Sequence, residues 1–282
     1  MRRVFAAGVV IVFSLALNAS EAGAILGGTP DAGRHPNVGA LLYRMDWVGP
    51  DGVLETYQAC SGSLLSDRTF LTAGHCVRSI GNAVAAGWFT AKDVSVSFDE
   101  DLHATNPDNM WEIFPDHVVG VSGWAAYPGT FDVGVFRLAK PVRGITPVQL
   151  PSAGLLDGLA AAGGLRDHSF AAVGYGYEGL DRSEFSPNAE RVWVGRRLVS
   201  TSPFMALTQD LLFALANPAA TGEGGTCFYD SGGPHFFALE GEGSNLVIAL
   251  QSGGDMNCQA ANWSQRLDMP QVLTFLAPFV PR

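Results

Sequence analysis

From about residue 38 onward the chain reads as a succession of short apolar runs, and this pattern limits the fold more than any other feature. Gly39–Met45, Val94–Phe98, Val133–Leu138, Arg191–Val199, His235–Leu239 and Asn245–Gln251 have strand character, with Gly, Pro, Asn and Asp punctuating between them. The 34 Gly and 16 Pro leave long helical periodicity rare. Two helices are expected, Pro270–Phe279 with Asp268 near its start and a second short candidate, Pro203–Leu215. Ala153–Gly164 reads as a loop between halves, with a short helix as the alternative. Many short strands with turn signals point to an all-β sandwich or barrel, and for 282 residues two barrels are more natural than one. Hydrophobic residues at 47% against 16% charged are ample for a buried core and argue against disorder.

The first residues belong to a different regime. Arg2 and Arg3 precede an apolar run from Val4 to Leu17, broken only by Ser14, and a polar stretch with small residues follows. This is the layout of a signal peptide over residues 1–24, and the run is short for a membrane anchor. Cleavage fits after Ala19 (Leu17-Asn18-Ala19) or after Ala24, where Ala22-Gly23-Ala24 is the better small-x-small match and leaves Ile25 first. A twin-arginine signal is a weaker reading, since only Arg2-Arg3 of that motif is present. The expected location is extracellular or periplasmic, without stable membrane association after cleavage. Four cysteines, Cys60, Cys76, Cys227 and Cys258, agree with export and suggest two disulfides, for which three pairings are open. No Cys-x-x-Cys or zinc spacing occurs, so no metal and no cofactor is expected. The net charge of −10 and the lack of a basic cluster argue against a nucleic-acid partner.

Three short segments carry chemistry. Gly224–Pro234 contains one serine, Ser231, after Asp230 and before Gly232-Gly233, in a stretch fit to expose its hydroxyl. A serine hydroxyl needs a base to take its proton and donors to hold the oxyanion that forms. Taken alone the stretch is also an ordinary surface turn. Thr72-Ala73-Gly74-His75-Cys76 follows an apolar strand and offers that base, because imidazole titrates near neutrality. A lone histidine is ordinarily structural or solvated, and His35, His103, His117, His168 and His235 are read so. His75 differs in its frame: a Cys60–Cys76 bridge would pin the hairpin carrying it, worth roughly 3 kcal/mol by loop closure. Asp132 heads the buried-looking strand Val133–Leu138, where a carboxylate is costly unless paired, and a histidine N–H suits it. Asp99–Asp101 reads as a solvated acidic loop sooner than a calcium site, and Asn262-Trp263-Ser264 is a glycosylation pattern of little weight.

Together these segments resemble the chymotrypsin/trypsin-type serine peptidase family. Cys60-Ser61-Gly62-Ser63-Leu64-Leu65 with Phe70–Cys76 is similar to its histidine motif, Phe131-Asp132-Val133-Gly134-Val135 to its aspartate motif, and Asp230–Pro234 to its serine motif. The order His, Asp, Ser matches the chymotrypsin arrangement and no other triad fold. The resemblance covers roughly residues 25–280. It implies two six-stranded antiparallel barrels with a C-terminal helix, divided as 25–145 and 146–282, and a cleft between them. It implies catalysis by His75, Asp132 and Ser231, an oxyanion hole from the backbone N–H groups of Tyr229 and Ser231, and disulfides Cys60–Cys76 and Cys227–Cys258. Gly225, Thr226, Ser252, Gly253, Gly254 and Asn262 would form the substrate pocket, and a free Ile25 amine would pair with Asp230. The partners implied are a peptide or protein substrate and a protein inhibitor, with the enzyme a monomer.

Two positions depart from the pattern. Tyr229 stands where the family has glycine, and Gly225 stands where members specific for Arg and Lys carry Asp. The reading is a secreted serine endopeptidase with an uncharged primary pocket. Its rivals are a non-catalytic binding protein on the same fold, for which only Tyr229 speaks, and an esterase using the same triad.

Overall fold

In the computed structural model of the protein the described residues are Ile25 and 27–48, 54–104, 113–181, 190–237 and 245–280. The N-terminal apolar run, the cleavage site after Ala19 and Ala24 of the second site lie outside them, as do the last residues of the expected His235–Leu239 run.

A two-residue strand, β1 (Thr29–Pro30), precedes a closed barrel of β2 (Val38–Val48), β3 (Leu54–Ser66), β4 (Thr69–Thr72), β5 (Val94–Ser97), β6 (Val119–Ala126) and β7 (Gly134–Leu138). Its strands run β2-β3-β4-β7-β6-β5 and every pairing is antiparallel. Between β4 and β5 lies α1 (Gly74–Ala85). After α2 (Leu155–Ala161) comes β8 (Ser169–Gly174), then a separate hairpin of β9 (Gly179–Asp181) and β10 (Glu190–Val192). The second barrel adds β11 (Leu198–Leu207), β12 (Leu211–Leu215), β13 (Pro234–Phe236), β14 (Val247–Gly254) and β15 (Ala261–Arg266), with the short α3 (Pro218–Thr221) before β13. Its order is β11-β12-β15-β14-β13-β8, and the pairing of β8 with β11 closes it. The chain ends in α4 (Pro270–Leu276) and a 3-10 turn, Ala277–Phe279, as the C-terminal pattern implied.

Alternation along the strands builds two kinds of core. Leu41, Phe70 and Phe136 pack with Cys60, Cys76, Val77 and Ile80 into a cluster confined to the first barrel and α1. Their strand neighbours Ala40, Leu71 and Val135 point the other way and join Val173, Phe236 and Leu250 of the second barrel. Two tethers reinforce that shared core. At one end β1 pairs with β11. At the other, Val272 and Leu276 of α4 are buried in the shared cluster, and the Phe275 ring meets Tyr127 of the first barrel at 5.6 Å.

Three sequence expectations are corrected. Pro203–Leu215 is the β11–β12 hairpin and not a helix. Its turn is locked locally, since Thr208 N–H donates to Leu211 O and Leu211 N–H to Thr208 Oγ1, and Leu212 and Ala214 alternate inward. Arg191–Val199 is two strands, because Gly195 takes φ +64 between β10 and β11. The histidine sits in the first turn of a helix and not on a hairpin, a helix whose apolar stripe is short: only Gly74, Cys76, Val77 and Ile80 are buried. Within Ala153–Gly164 the short-helix alternative holds, as α2.

Candidate active site

β4 is buried along its whole length, and the chain turns from it directly into α1. A helix start leaves its first N–H groups without partners inside the helix. Here no side chain of α1 itself caps them. Asp132, from the loop before β7, does so instead: its Oδ1 accepts from the His75 backbone N–H at 2.7 Å and its Oδ2 meets His75 Nδ1 at 2.7 Å. One carboxylate thus holds both the main chain and the ring of the histidine, at the helix end where negative charge is favoured. Ser252 Oγ donates to the same Oδ2 at 2.6 Å, Arg78 Nη2 donates to Oδ1 at 3.1 Å, and Asp132 N–H donates to Gln265 Oε1 at 2.9 Å. Burial alone would raise the Asp132 pKa, but the bonds and charge of His75, with the Ser252 hydroxyl, outweigh it and hold the carboxyl below its usual range.

Ser231 lies at the corner of a tight turn. Gly233 N–H donates to Asp230 O at 2.7 Å, closing four residues with Ser231 and Gly232 in the middle, and Gly232 has φ +80. That φ at the third position is what a type II turn requires. A side chain there has no room either, since a Cβ on Gly232 would stand 2.0 Å from Thr72 Oγ1 and 2.6 Å from Ser61 O. The turn is thereby pressed against the first barrel, where Ser61 N–H donates to Ser231 O at 2.9 Å. The Cys60–Cys76 disulfide is present beneath it. Cys76 Sγ lies 3.6 Å from His75 Nε2 and 3.7 Å from Ser231 O, and His75 and Ser231 line one cavity of about 480 Å³. Cys60, His75 and Cys76 are close enough to suggest a metal group, but both sulfurs are joined in the disulfide and offer no thiolate.

The second disulfide, Cys227–Cys258, braces the segment before the serine. Tyr229 takes φ +71, a left-handed conformation that costs a non-glycine residue about 1–2 kcal/mol. Its carbonyl accepts from Gln58 Nε2 at 3.2 Å and Ser61 Oγ at 3.0 Å, and its ring meets Tyr177 edge-on at 5.3 Å. Phe228 O accepts from Tyr177 N–H at 3.0 Å.

Asp230 is fully buried; Gly176 N–H donates to its Oδ1 at 2.8 Å and Cys227 N–H to its Oδ2 at 2.9 Å. No ion pair among the described residues includes it, and burial pushes its pKa up to about 7. The expected pairing of Ile25 with Asp230 is not formed in this chain. The Ile25 nitrogen is a peptide N–H that donates to Tyr177 O at 3.1 Å, and its side chain is buried against Leu198.

The residues expected to form the primary pocket fall into two groups. Ser252 joins the Asp132 carboxylate, as above. Gly225, Thr226 and Asn262 are buried together, with Gly253 and Gly254 beside them through the pairings Gly253↔Trp263 and Gly254↔Asn262. With its amide oriented for bonding, Asn262 donates to Thr226 O at 3.1 Å and accepts from Thr226 N–H at 2.7 Å and Oγ1 at 2.8 Å. Its complete burial also removes it as a surface glycan acceptor. Arg78, Gln58, Tyr177 and Gln265 were not anticipated; a helix over His75 would have flagged Arg78 by its three-residue spacing.

His75 and Asp132 come from the first of two closed antiparallel barrels and Ser231 from the second, the arrangement expected of a serine-type endopeptidase. The chain belongs to the trypsin family, whose model, described as Trypsin, matches residues 27–274. Among solved structures it is similar to one titled HL collagenase, with 16% identity and a TM-score of 0.55, over 86% of this chain and 94% of that one. No curated protein matches it. Among the described residues no helix is long and apolar enough to cross a membrane.

Proposed function

We propose that the protein is a secreted endopeptidase that cuts peptide bonds through an acyl-enzyme on Ser231. His75 takes the Ser231 proton and returns it to the leaving amine, while Asp132 orients the ring and stabilises its charged form. The observation that carries this reading is the His75 Nδ1–Asp132 Oδ2 contact of 2.7 Å, with the same ring lining one cavity with Ser231. The backbone N–H groups of Tyr229 and Ser231 hold the oxyanion. In a trans peptide the N–H points opposite to the C=O, and the Phe228 carbonyl is engaged by Tyr177; this supports a Tyr229 N–H that faces away from Tyr177 at rest. A fluorophosphonate probe should label Ser231 in the mature protein, and labelling should vanish in Ser231→Ala. A mature, folded protein that takes up no label is instead the non-catalytic binder, the reading that the strained Tyr229 favours.

The proposal extends to maturation. Residues 1–24 are a signal peptide, residues 25–145 and 146–282 form the two halves, and the mature enzyme acts as a monomer outside the cytoplasm on peptides or proteins. The barrel strands occupy 38–138 and 169–266, which supports the division. Cleavage after Ala24 frees the Ile25 amine, whose nitrogen donates to the carbonyl of Tyr177, the residue next to the Gly176 whose N–H holds Asp230. In the uncut chain Ile25 has φ +75, unfavourable for a β-branched residue. A terminal residue has no φ, so cleavage removes that strain. The released ammonium would then neutralise Asp230. N-terminal sequencing of active enzyme should begin at Ile25; full activity with residues still attached before it defeats this step. The primary pocket lacks a carboxylate at Gly225, so a peptide library should show no tenfold preference for Arg or Lys before the scissile bond.

A further inference from the structure

On the catalytic reading above, we infer that selectivity is set chiefly on the leaving-group side of the scissile bond, by an apolar pocket between α1 and β2–β3 that takes a large uncharged side chain.

The two sides of the reacting centre differ in the space they offer. At Gly225 there is no room for a side chain: a Cβ there would stand 2.4 Å from Ala216 Cβ and 2.8 Å from the side-chain amide of Asn262, which Thr226 holds in place. The cavity that contains His75 and Ser231 opens the other way. It is not bordered by Ser252, Gly253, Gly254, Gly225 or Asn262. Its base is the Cys60–Cys76 bridge, and its walls include Ile80 and Ala83 of α1, Trp88, Phe89 and Tyr43.

His75 returns its proton to the departing amine, so the chain that leaves must emerge on the histidine side, over the bridge and into this cavity. Its size, about 480 Å³, lies in the range of small-ligand sites and exceeds what a small side chain fills. Among the described residues, none of those lining it is Asp, Glu, Lys or Arg. The wall is stiffened by ring stacking, Tyr43 on Phe89 at 5.0 Å and Tyr43 on Tyr57 at 5.2 Å. Trp88 stands at the mouth 68% exposed, a large apolar surface that a bound side chain would cover. A charged side chain entering here loses its water without gaining a partner, whereas a Leu or Phe loses only unfavourable hydration.

The test separates acylation from the leaving-group side. Mature enzyme is acylated with a small activated ester, and the acyl-enzyme partitions between water and an added amino-acid amide. In the second case the amine nitrogen bonds to the acyl carbon, the bond to Ser231 Oγ breaks, and the amine proton passes through His75 to that oxygen. At equal concentration, leucinamide and phenylalaninamide should capture the acyl group at least ~10-fold better than the amides of glycine, aspartate or lysine. Ala83→Phe, which fills the cavity from α1, should bring phenylalaninamide toward glycinamide. Ester turnover with equal capture by all amides overturns this inference alone, as does an unchanged preference in folded Ala83→Phe; if that variant does not fold, the wild-type capture ratios decide. No ester turnover at all overturns the catalytic reading, and this inference with it.

Discussion

Each wall of the cleft presents one aspartate beside a residue proposed to react, and the two are in opposite states. Asp132, on the first-barrel wall, accepts from the His75 backbone and Ser252, meets the His75 ring and Arg78, and is held below its ordinary pKa. Asp230, on the second-barrel wall, has two backbone N–H donors and no cation among the described residues, and is pushed up to about 7. The same side chain is thus a finished part in one wall and an unfinished one in the other. The first wall is completed by folding, because its partners belong to α1, β14 and β15. On the maturation proposed above, the second wall waits for the Ile25 ammonium, a charge that the uncut chain does not supply.

The largest effect should come from breaking the finished wall and the nucleophile together. Ser231→Ala, His75→Ala and Asp132→Asn should each lower peptide hydrolysis by on the order of 10⁴ or more, and double variants little further, since the three act as a unit. Near-wild-type turnover of a peptide ester by Ser231→Ala would refute the assignment.

The unfinished wall should show in stability. In uncut protein, made inactive by Ser231→Ala, folded Asp230 keeps its proton to about pH 7, while the unfolded chain loses it near 3.8. The folded state therefore binds more protons between these values, and its stability is full below about pH 4 and falls as pH rises to about 7. The loss should approach ~4 kcal/mol, read by denaturant midpoints across that range. Asp230→Asn should flatten this slope in the uncut chain, and cleavage before Ile25 should flatten it in the wild type. An equal slope in all three would mean Asp230 is not the group responsible.

Smaller effects sharpen the contrast. Tyr229→Gly relieves a left-handed tyrosine, so turnover of a small ester should hold or rise within several-fold, while peptides that contact the ring weaken; equal, severe loss on both would show a requirement for the ring itself. Arg78→Ala removes an exposed contact to Asp132 and should cost no more than about 1 kcal/mol in stability.

Much of this site was legible residue by residue, and the reason is local. Ser231, His75 and Asp132 each sit in a stretch whose neighbours are constrained: Gly232 by its φ of +80 and by Thr72, Cys76 by its bridge, Val133 by burial. Such constraints act over a few residues and leave their mark in the order of letters. Pro203–Leu215 was misread because apolar residues on both sides of a short turn imitate a helical stripe, and the lock at Thr208–Leu211 is a side-chain contact that spacing does not reveal. The helix at His75 was missed because its buried stripe is short and its cap comes from Asp132, 57 residues away.

What the order of residues determined by itself was the alternation of strands, the cysteines and the three side chains proposed to react, since periodicity and turn chemistry are properties of neighbours. Tertiary structure alone decided the state of those side chains. Ser252 became a partner of Asp132 across 120 residues, Asn262 became the filling over Gly225, and Tyr229 took its left-handed form with its carbonyl held by Gln58 and Ser61. Burial and hydrogen bonding set a carboxylate's charge or a pocket's depth, and both depend on which distant segments the closed barrels bring together.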